Sequence, residues 1–354
     1  MPYEEQLYGK RGVVERAIRK NSLLNEVPVL NCIPSPEIDS YRNRAKMAVG
    51  MSPKSGTHLG YFRSGTREIV DAPQCRVLIP ELLETTRRIR KVLETARRIP
   101  RELRHIDLRC GTDPKRQHLT LVFQSESLPK FPLEALLRAC PMIDGVSANM
   151  NPSKGPQVIR GAIEHLSGER EVWVQHAGLR MRVSPGAFFQ INLPILHEIH
   201  KMMAEFFGKG ETLADLYAGV GTHGLALRGR FNRIWFAEGN RRAIADLKST
   251  LRAAKIDDFG VSAVAVERGL KKLREEKPDA IVLNPSRIGA REEVLDAVAQ
   301  CPAKKIAYLS CDPETLMRDL EILRRKKFKI QSIQPIDMMP QTRQVEALAL
   351  LTRK

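Results

Sequence analysis

The sequence predicts an α/β protein: a doubly wound, mainly parallel sheet in the C-terminal half, with a separate, smaller β-rich (α+β) domain over about residues 41–180. Three observations carry this. The chain has 354 residues, which calls for two or three domains. From Tyr41 its texture is one of short β-like runs. After Asn192, apolar strands alternate with helical segments, the pattern of a parallel sheet with helices on both faces. Hydrophobic residues make up 42% and charged residues 28%, as in a folded soluble chain.

The elements follow in order. Residues 5–22 place Leu7, Val13, Val14, Ala17 and Ile18 at helical spacing. The stretch 41–70 holds six Lys/Arg against one acid, Glu68, and Met51-Ser-Pro-Lys-Ser-Gly reads as a hairpin tip. Residues 76–98 form a helix with an apolar stripe through Leu82, Ile89 and Leu93. Its outer face is basic, carrying Arg87, Arg88, Arg90, Lys91, Arg97 and Arg98. His118–Phe123 is a strand, and Val172–His176 and Leu179–Val183 form a hairpin turning at Ala177-Gly178. Leu196, Ile199, Met203 and Phe206 mark a helix ending at Gly208. Strands are then expected at 212–216, 233–237, 279–283, 305–310 and 345–351.

Charge and cysteine usage narrow the partners. Lys+Arg 58 against Asp+Glu 41 gives a net charge of +17, which favours a polyanion, most often nucleic acid. Aromatic residues are only 5%, too few for a long single-strand stacking platform. None of the six cysteines forms a C-x-x-C pair, so a zinc ribbon is not indicated and no metal is expected; free thiols in a reducing compartment are. No apolar run approaches the roughly 18 residues of a membrane helix, and the first residues lack a basic, then apolar, leader. A cytoplasmic location is expected.

In open α/β sheets, ligands bind beyond the carboxyl ends of the strands. Four successive strand ends carry polar groups here: Asp215-Leu-Tyr-Ala-Gly-Val-Gly-Thr-His-Gly, Glu238-Gly-Asn, Asn284-Pro-Ser-Arg and Ser310-Cys-Asp-Pro. Gly219-x-Gly221-x-x-Gly224 fits a loop that lets backbone approach a ligand, and Glu238 fits an acceptor for ribose hydroxyls. The pair suits NAD or S-adenosylmethionine. The Asn284 amide, with both donors and an acceptor, suits a nucleobase edge. Cys311 sits at a strand end in line with the glycine loop, where a thiol needs modest help to become a nucleophile. Glu346 opens an otherwise apolar strand, where a carboxylate has either a partner or a task.

These residues resemble the RNA uracil-C5 methyltransferases, which use S-adenosylmethionine to make 5-methyluridine in 23S rRNA or tRNA. The resemblance rests on Asp215-Leu-Tyr-Ala-Gly-Val-Gly, Asn284-Pro-Ser-Arg-Ile-Gly, Tyr308-Leu-Ser-Cys-Asp-Pro and Met339-Pro-Gln-Thr-Arg-Gln-Val-Glu-Ala-Leu. Phe188-Phe-Gln-Ile-Asn, Tyr41-Arg-Asn-Arg-Ala-Lys-Met and Ile69-Val-Asp-Ala-Pro-Gln-Cys extend it over nearly the whole chain. It implies a Rossmann-like methyltransferase domain over 181–354, a central RNA-binding domain over 41–180, and a helical segment over 1–40 packing on the catalytic domain. It implies Cys311 as nucleophile and Glu346 as base. Gln190, Tyr217, Gly219, Gly221, Thr222 and Glu238 would contact S-adenosylmethionine, and Asn284 the cofactor or the uracil. Many relatives have Asp at that last position; Asn is similar to one 23S rRNA branch, which favours that RNA over tRNA.

Some family features depart. Relatives often carry an N-terminal β-barrel and a four-cysteine iron–sulfur cluster; this chain begins at the equivalent of the helix that follows, so neither is expected. Cys75 matches the fourth cluster ligand without companions, and Cys32 does not replace them. Gln341 and Gln344 stand where relatives often have His. A monomer that binds RNA, and neither DNA nor membrane, is expected. Readings from other classes stay open on the residues: a nicotinamide dehydrogenase, a base-amine methyltransferase, or an RNA-binding protein without catalysis.

Overall fold

The computed structural model describes all residues except 53–55, 97, 98 and 156, and only the backbone of residues 51 and 52. The expected hairpin tip and the last two arginines of the basic helix therefore lie outside the described residues. The chain divides into two compact units, one of Met1–Ile38 with Asn192–Lys354, the other of Asp39–Ile191. The first element is α1 (Tyr3–Arg19).

The middle unit contains β1 (Arg44–Ser52), β2 (Gly56–Phe62), β3 (Ile69–Asp71), α2 (Pro80–Thr95), β4 (Leu103–Cys110), β5 (Gln117–Phe123), α3 (Leu133–Ala139), β6 (Ile143–Met150) and β7 (Ile163–Gly168), then the hairpin β8 (Val172–His176) and β9 (Leu179–Val183). Its seven-stranded sheet runs β3-β2-β1-β4-β5-β6-β7. Every pair is antiparallel except β5–β6, which α3 connects. The period-two pattern sorts the faces. Ala45, Met47, Ile106, Leu108, Leu119 and Leu121 pack in one core with Leu82, Ile89 and Leu93 of α2. The alternate positions carry Arg44, Lys46, His105, Asp107, Arg109 and His118.

On that second face, Asp107 is wholly buried. Arg44 grips it bidentately, with Nε to Oδ1 at 2.7 Å and Nη2 to Oδ2 at 2.5 Å, and Arg109 Nη2 adds a bond at 3.3 Å. Burial opposes the charge, but the two guanidinium groups outweigh it and hold the carboxyl well below the usual range.

The unit ends at Ile191, not at residue 180. Arg109 Nη1 donates to the carbonyls of Ser184 (3.2 Å) and Ala187 (3.1 Å), and the Asn43 N–H donates to Ile191 O (3.2 Å). These bonds tie 184–191 to β4 and to the residue just before β1, a long-range tether that local sequence pattern does not carry.

The other unit continues with α4 (Leu193–Phe207), β10 (Gly210–Leu216), α5 (Thr222–Leu227), β11 (Phe231–Ala237), α6 (Arg241–Ala253), β12 (Phe259–Ser262), α7 (Leu270–Glu276), β13 (Ala280–Leu283), α8 (Glu292–Gln300), β14 (Lys305–Ser310), α9 (Pro313–Arg325), β15 (Phe328–Ile336) and β16 (Glu346–Arg353). The sheet order is β12-β11-β10-β13-β14-β16-β15. The strands from β10 to β14 pair in parallel, whereas β16 runs antiparallel to both neighbours. This is the expected doubly wound, Rossmann-like α/β fold. The strand order reverses beside β10, so the ends of β10 and β13 flank the crevice where such sheets bind ligands.

Residues 1–38 belong to this sheet's unit. Lys10 Nζ of α1 pairs with the wholly buried Asp337 and donates to Met339 O at 2.8 Å. Residues 28–33 extend beside β15 through parallel bridges, Val29 to Ile333 and Ile33 to Ile336. Gln341 exchanges two 3.0 Å hydrogen bonds with Gln6, so one of the two departures from the family's histidines is filled from α1.

Candidate active site

The carboxyl ends of β10, β11, β13 and β14 converge on one edge of the catalytic sheet, and each contributes to the candidate site. After β10 the backbone takes positive φ at Tyr217 (61°), Gly219 (56°) and Gly221 (83°). Only glycine visits that region without a Cβ penalty, which explains two of the three residue choices. A Cβ on Gly221 would lie 2.5 Å from Leu247 Cδ1, so the residue is also required by packing against α6.

Glu238, just after β11, accepts from the Gly219 N–H at 2.9 Å with Oε2 and from the Asn240 N–H at 2.6 Å with Oε1. The carboxylate thus shapes the glycine loop and still has lone pairs for a further donor. Thr222 is buried at the start of α5. Tyr217 donates its hydroxyl to Glu267 Oε1 at 3.1 Å, and burial and that carboxylate raise its phenol above the usual range. Asp215 accepts from the Gly224 N–H at 2.8 Å, and burial lifts its carboxyl to about 7.

Asn284 follows β13, between the glycine loop and β14. Its Nδ2 is 2.9 Å from His223 Nε2, and His223 Nδ1 is 2.9 Å from His200 Nε2. An amide nitrogen can only donate, so His223 Nε2 accepts and its Nδ1–H donates to His200. This relay fixes the amide and leaves Oδ1 available to a ligand.

Cys311 lies between the last residue of β14 and Asp312, the N-cap of α9. Asp312 Oδ1 accepts from the N–H groups of Glu314 and Thr315, both at 3.1 Å. This cap fixes where the helix starts, and with it the thiol. Across the antiparallel pair, Ser310 sits opposite Ala347, so the following Cys311 faces Glu346. Cross-strand neighbours of this kind have Cβ atoms about 4.5–5.5 Å apart.

Arg287 completes the group. Its carbonyl accepts from the Thr315 hydroxyl at 3.1 Å, tying the loop after β13 to the first turn of α9. Its Nη2 donates to Gln344 Oε1 at 3.1 Å, the second position where relatives often have His. Burial and the Glu346 charge push the Cys311 thiol up, while Arg287 beside the sulfur pulls it down. Burial also lifts the Glu346 carboxyl to about 8, against the same guanidinium. Two acidic groups therefore share one cation in a partly desolvated corner, and their protons are coupled.

Residues 163–354 match a protein family described as tRNA (uracil-5-)-methyltransferase. A chain named as an RNA methyltransferase from Geobacter sulfurreducens is 30% identical over the full length of this one, which spans 74% of that relative. The chain belongs to the tRNA (uracil-5-)-methyltransferase family. A second relative, an RNA methyltransferase of Oceanobacillus iheyensis, is 29% identical over the full length and is spanned to 80%. Among solved structures, the Pyrococcus abyssi tRNA (uracil-54, C5)-methyltransferase, in complex with S-adenosyl-L-homocysteine, is 25% identical. Its TM-score is 0.78, with 99% of this chain and 84% of that chain covered.

As an RNA methyltransferase of this family, the protein is not a nicotinamide dehydrogenase, for all that its glycine spacing resembles one. The catalytic unit brings together Cys311 and Glu346, places Asn284 at the end of the neighbouring strand β13, and sets Tyr217, Gly219, Gly221, Thr222 and Glu238 around the loop after β10. Gln190 is not on this sheet; it is buried in the middle unit, where its carbonyl accepts from Asn43 Nδ2 at 3.4 Å. Sequence reading passed over Arg287, although it stands three residues after Asn284 in the same run. It also passed over His223, in α5 within the Gly219–Gly224 run, and Glu267, which is reachable only through the fold. Among the described residues no cluster of His, Cys, Asp and Glu is arranged to hold a metal ion, and no helix is long and apolar enough to cross a membrane.

Proposed function

We propose that the protein methylates C5 of a uridine in RNA, using S-adenosylmethionine, through a temporary covalent bond between Cys311 Sγ and C6 of the ring. The observation that carries this is the placement of Cys311 opposite Glu346, with Arg287 beside both. The residues of the glycine loop suit the cofactor. Positive-φ backbone at 219 and 221 admits a close ligand, and Glu238 on the next strand has acceptor capacity for ribose hydroxyls. Tyr217 and Thr222 border the same loop, and Gln190 is included on the family resemblance. When bound, S-adenosylmethionine supplies an electrophilic methyl group.

The chain's own residues make the acceptor reactive. Cys311, as thiolate, adds to C6, and the ring becomes an enolate with electron density at C5. Arg287 stabilises the thiolate before addition and when it is released. Asn284 Oδ1 accepts from the uracil N3–H, held in orientation by His223 and His200. After methylation, Glu346 takes the C5 proton, the C5–C6 double bond re-forms, and the thiolate leaves C6. The base must leave its stack to meet the thiol, so the uridine is flipped out of the RNA.

The finer reading is a uridine of 23S rRNA, with tRNA as the alternative; Asn284 supports the former. Incubating the protein with S-adenosylmethionine and transcripts carrying [5-³H]uridine tests the chemistry: tritium release should match methyl incorporation one for one. Methyl transfer without tritium release would move the reaction away from C5. Mapping 5-methyluridine in rRNA and tRNA from cells lacking the protein then identifies the substrate, and loss from tRNA alone would contradict the rRNA reading.

A further inference from the structure

The middle unit carries a cavity of about 730 Å³ within its own residues, on the polar face of the sheet. That size lies in the range of roughly 300–1,000 Å³ typical of sites that enclose small molecules. Four of its lining side chains are cationic, Lys46, Arg67, Arg104 and Lys154, and among the described residues that line it none is acidic. Ala48 and Gly60, opposite each other on β1 and β2, leave the floor flat. Phe62 stands at the side with 47% of its surface exposed, its ring edge-on to His105 at 5.9 Å between centroids.

Two further facts favour an anionic ligand there. Arg104 donates from Nη1 to Ser153 O at 2.8 Å, but its buried Nε and Nη2 have no partner, and neither does buried His105 Nδ1. Buried polar atoms of this kind normally find a partner, in protein, water or ligand. On the same face the Asp107 carboxylate is hydrogen-bonded by Arg44 and Arg109 and also attracts Lys46, so the charge it leaves for Arg67, Arg104 and Lys154 is small. The wall facing the sheet is held in shape by buried Asn151, whose Nδ2 donates to the carbonyls of Gln157 (2.9 Å) and Val158 (2.8 Å).

We infer that this cavity takes one unstacked nucleotide of the substrate RNA, with its base stacked on Phe62 and its flanking phosphates held by Arg67, Arg104 and Lys154. An aromatic face accepts any base, and cations without acidic neighbours suit a phosphodiester backbone. The site deepens the proposed function by giving the RNA a second grip, away from the uridine that reacts. It rests on that reading only in requiring an RNA partner.

The test is binding of a fluorescein-labelled single-stranded RNA of about 12 nucleotides, followed by anisotropy, with a duplex of the same length as control. Phe62→Ala should weaken single-strand binding by roughly 5- to 150-fold, the range expected for one lost stacked base, and leave duplex binding unchanged. Phe62→Trp should restore it. Lys154→Ala should weaken both RNAs and reduce the salt slope by about one unit. Affinity for S-adenosylhomocysteine, measured by calorimetry, should stay constant in all three. Unchanged single-strand binding in Phe62→Ala overturns the inference, as does a loss that S-adenosylhomocysteine affinity follows in step. Should the native chain bind RNA yet transfer no methyl group, the proposed function fails while the cavity stands; should it methylate RNA with Phe62→Ala indistinguishable, the cavity fails alone.

Discussion

Glu346 is enclosed at the start of β16, and burial lifts its carboxyl from the ordinary 4.5 to about 8. The native chain therefore holds this proton more tightly than the unfolded chain does. The group's contribution to stability is complete below its unfolded value and is lost as pH rises through about 8. Glu346→Gln keeps the shape without the charge. In urea unfolding it should match the native chain at pH 5 and exceed it at pH 9, and lower stability at pH 9 would mean the carboxylate is well compensated. Catalysis depends on the opposite protonation state. A base must be unprotonated to take the C5 proton, so kcat of the native chain should climb with pH up to about 8 and then level off. A flat profile would remove Glu346 from the proton transfer. Arg287 is tested through the thiol it touches. Arg287→Gln should slow alkylation of Cys311 by iodoacetamide about tenfold at neutral pH, the effect of one unit in thiol pKa. Cys311 and Glu346 were legible in sequence because each interrupts an apolar strand at its end. Arg287 was not, because its place depends on the Thr315 hydroxyl, which joins a loop to a helix 28 residues away.

Among the elements, the strands that sequence pattern reveals in the catalytic unit are those of the sheet interior. β10, β13 and β14 are buried and read as apolar runs. In the catalytic sheet the two strands that were not anticipated, β12 and β15, lie at its edges, whereas in the middle unit β4, β6 and β7 were covered only by the general expectation of a β-rich segment. β15 alternates Lys329 and Gln331 with buried Ile330, and it contains Pro335, which weakens any strand assignment by pattern. The hairpin β8–β9 was plain because Ala177-Gly178 supplies two consecutive residues of positive φ, at 50° and 72°. α1 was visible as a helix, but its anchor was not, since Lys10 and Asp337 are 327 positions apart. That ion pair gives an element-scale prediction. Lys10→Ala leaves Asp337 buried without its cation and should cost about 3–5 kcal/mol in urea unfolding. A loss below 1 kcal/mol would show that α1 is held by its apolar stripe alone.

For the molecule as a whole, the surplus of 17 positive charges pointed to a polyanion before any fold was known. What composition did not disclose is where the cations gather, because lysines and arginines far apart in sequence meet only across the strands of the middle unit. RNA affinity should fall by about 10³-fold or more between 50 and 200 mM salt, as for a protein neutralising several phosphates. S-adenosylhomocysteine affinity should change little over the same range, and equal sensitivity of the two would mean that charge is not the means of RNA binding. The covalent bond to the base is the central claim, and one measurement addresses it. Substrate RNA with 5-fluorouridine at the target carries no C5 proton for Glu346 to remove, so the reaction should stop with the RNA attached to the protein. A band that survives denaturing gel electrophoresis, requires S-adenosylmethionine and maps by mass spectrometry to Cys311 is the expected result, with no band from Cys311→Ala. An equal yield of adduct from Cys311→Ala would contradict it.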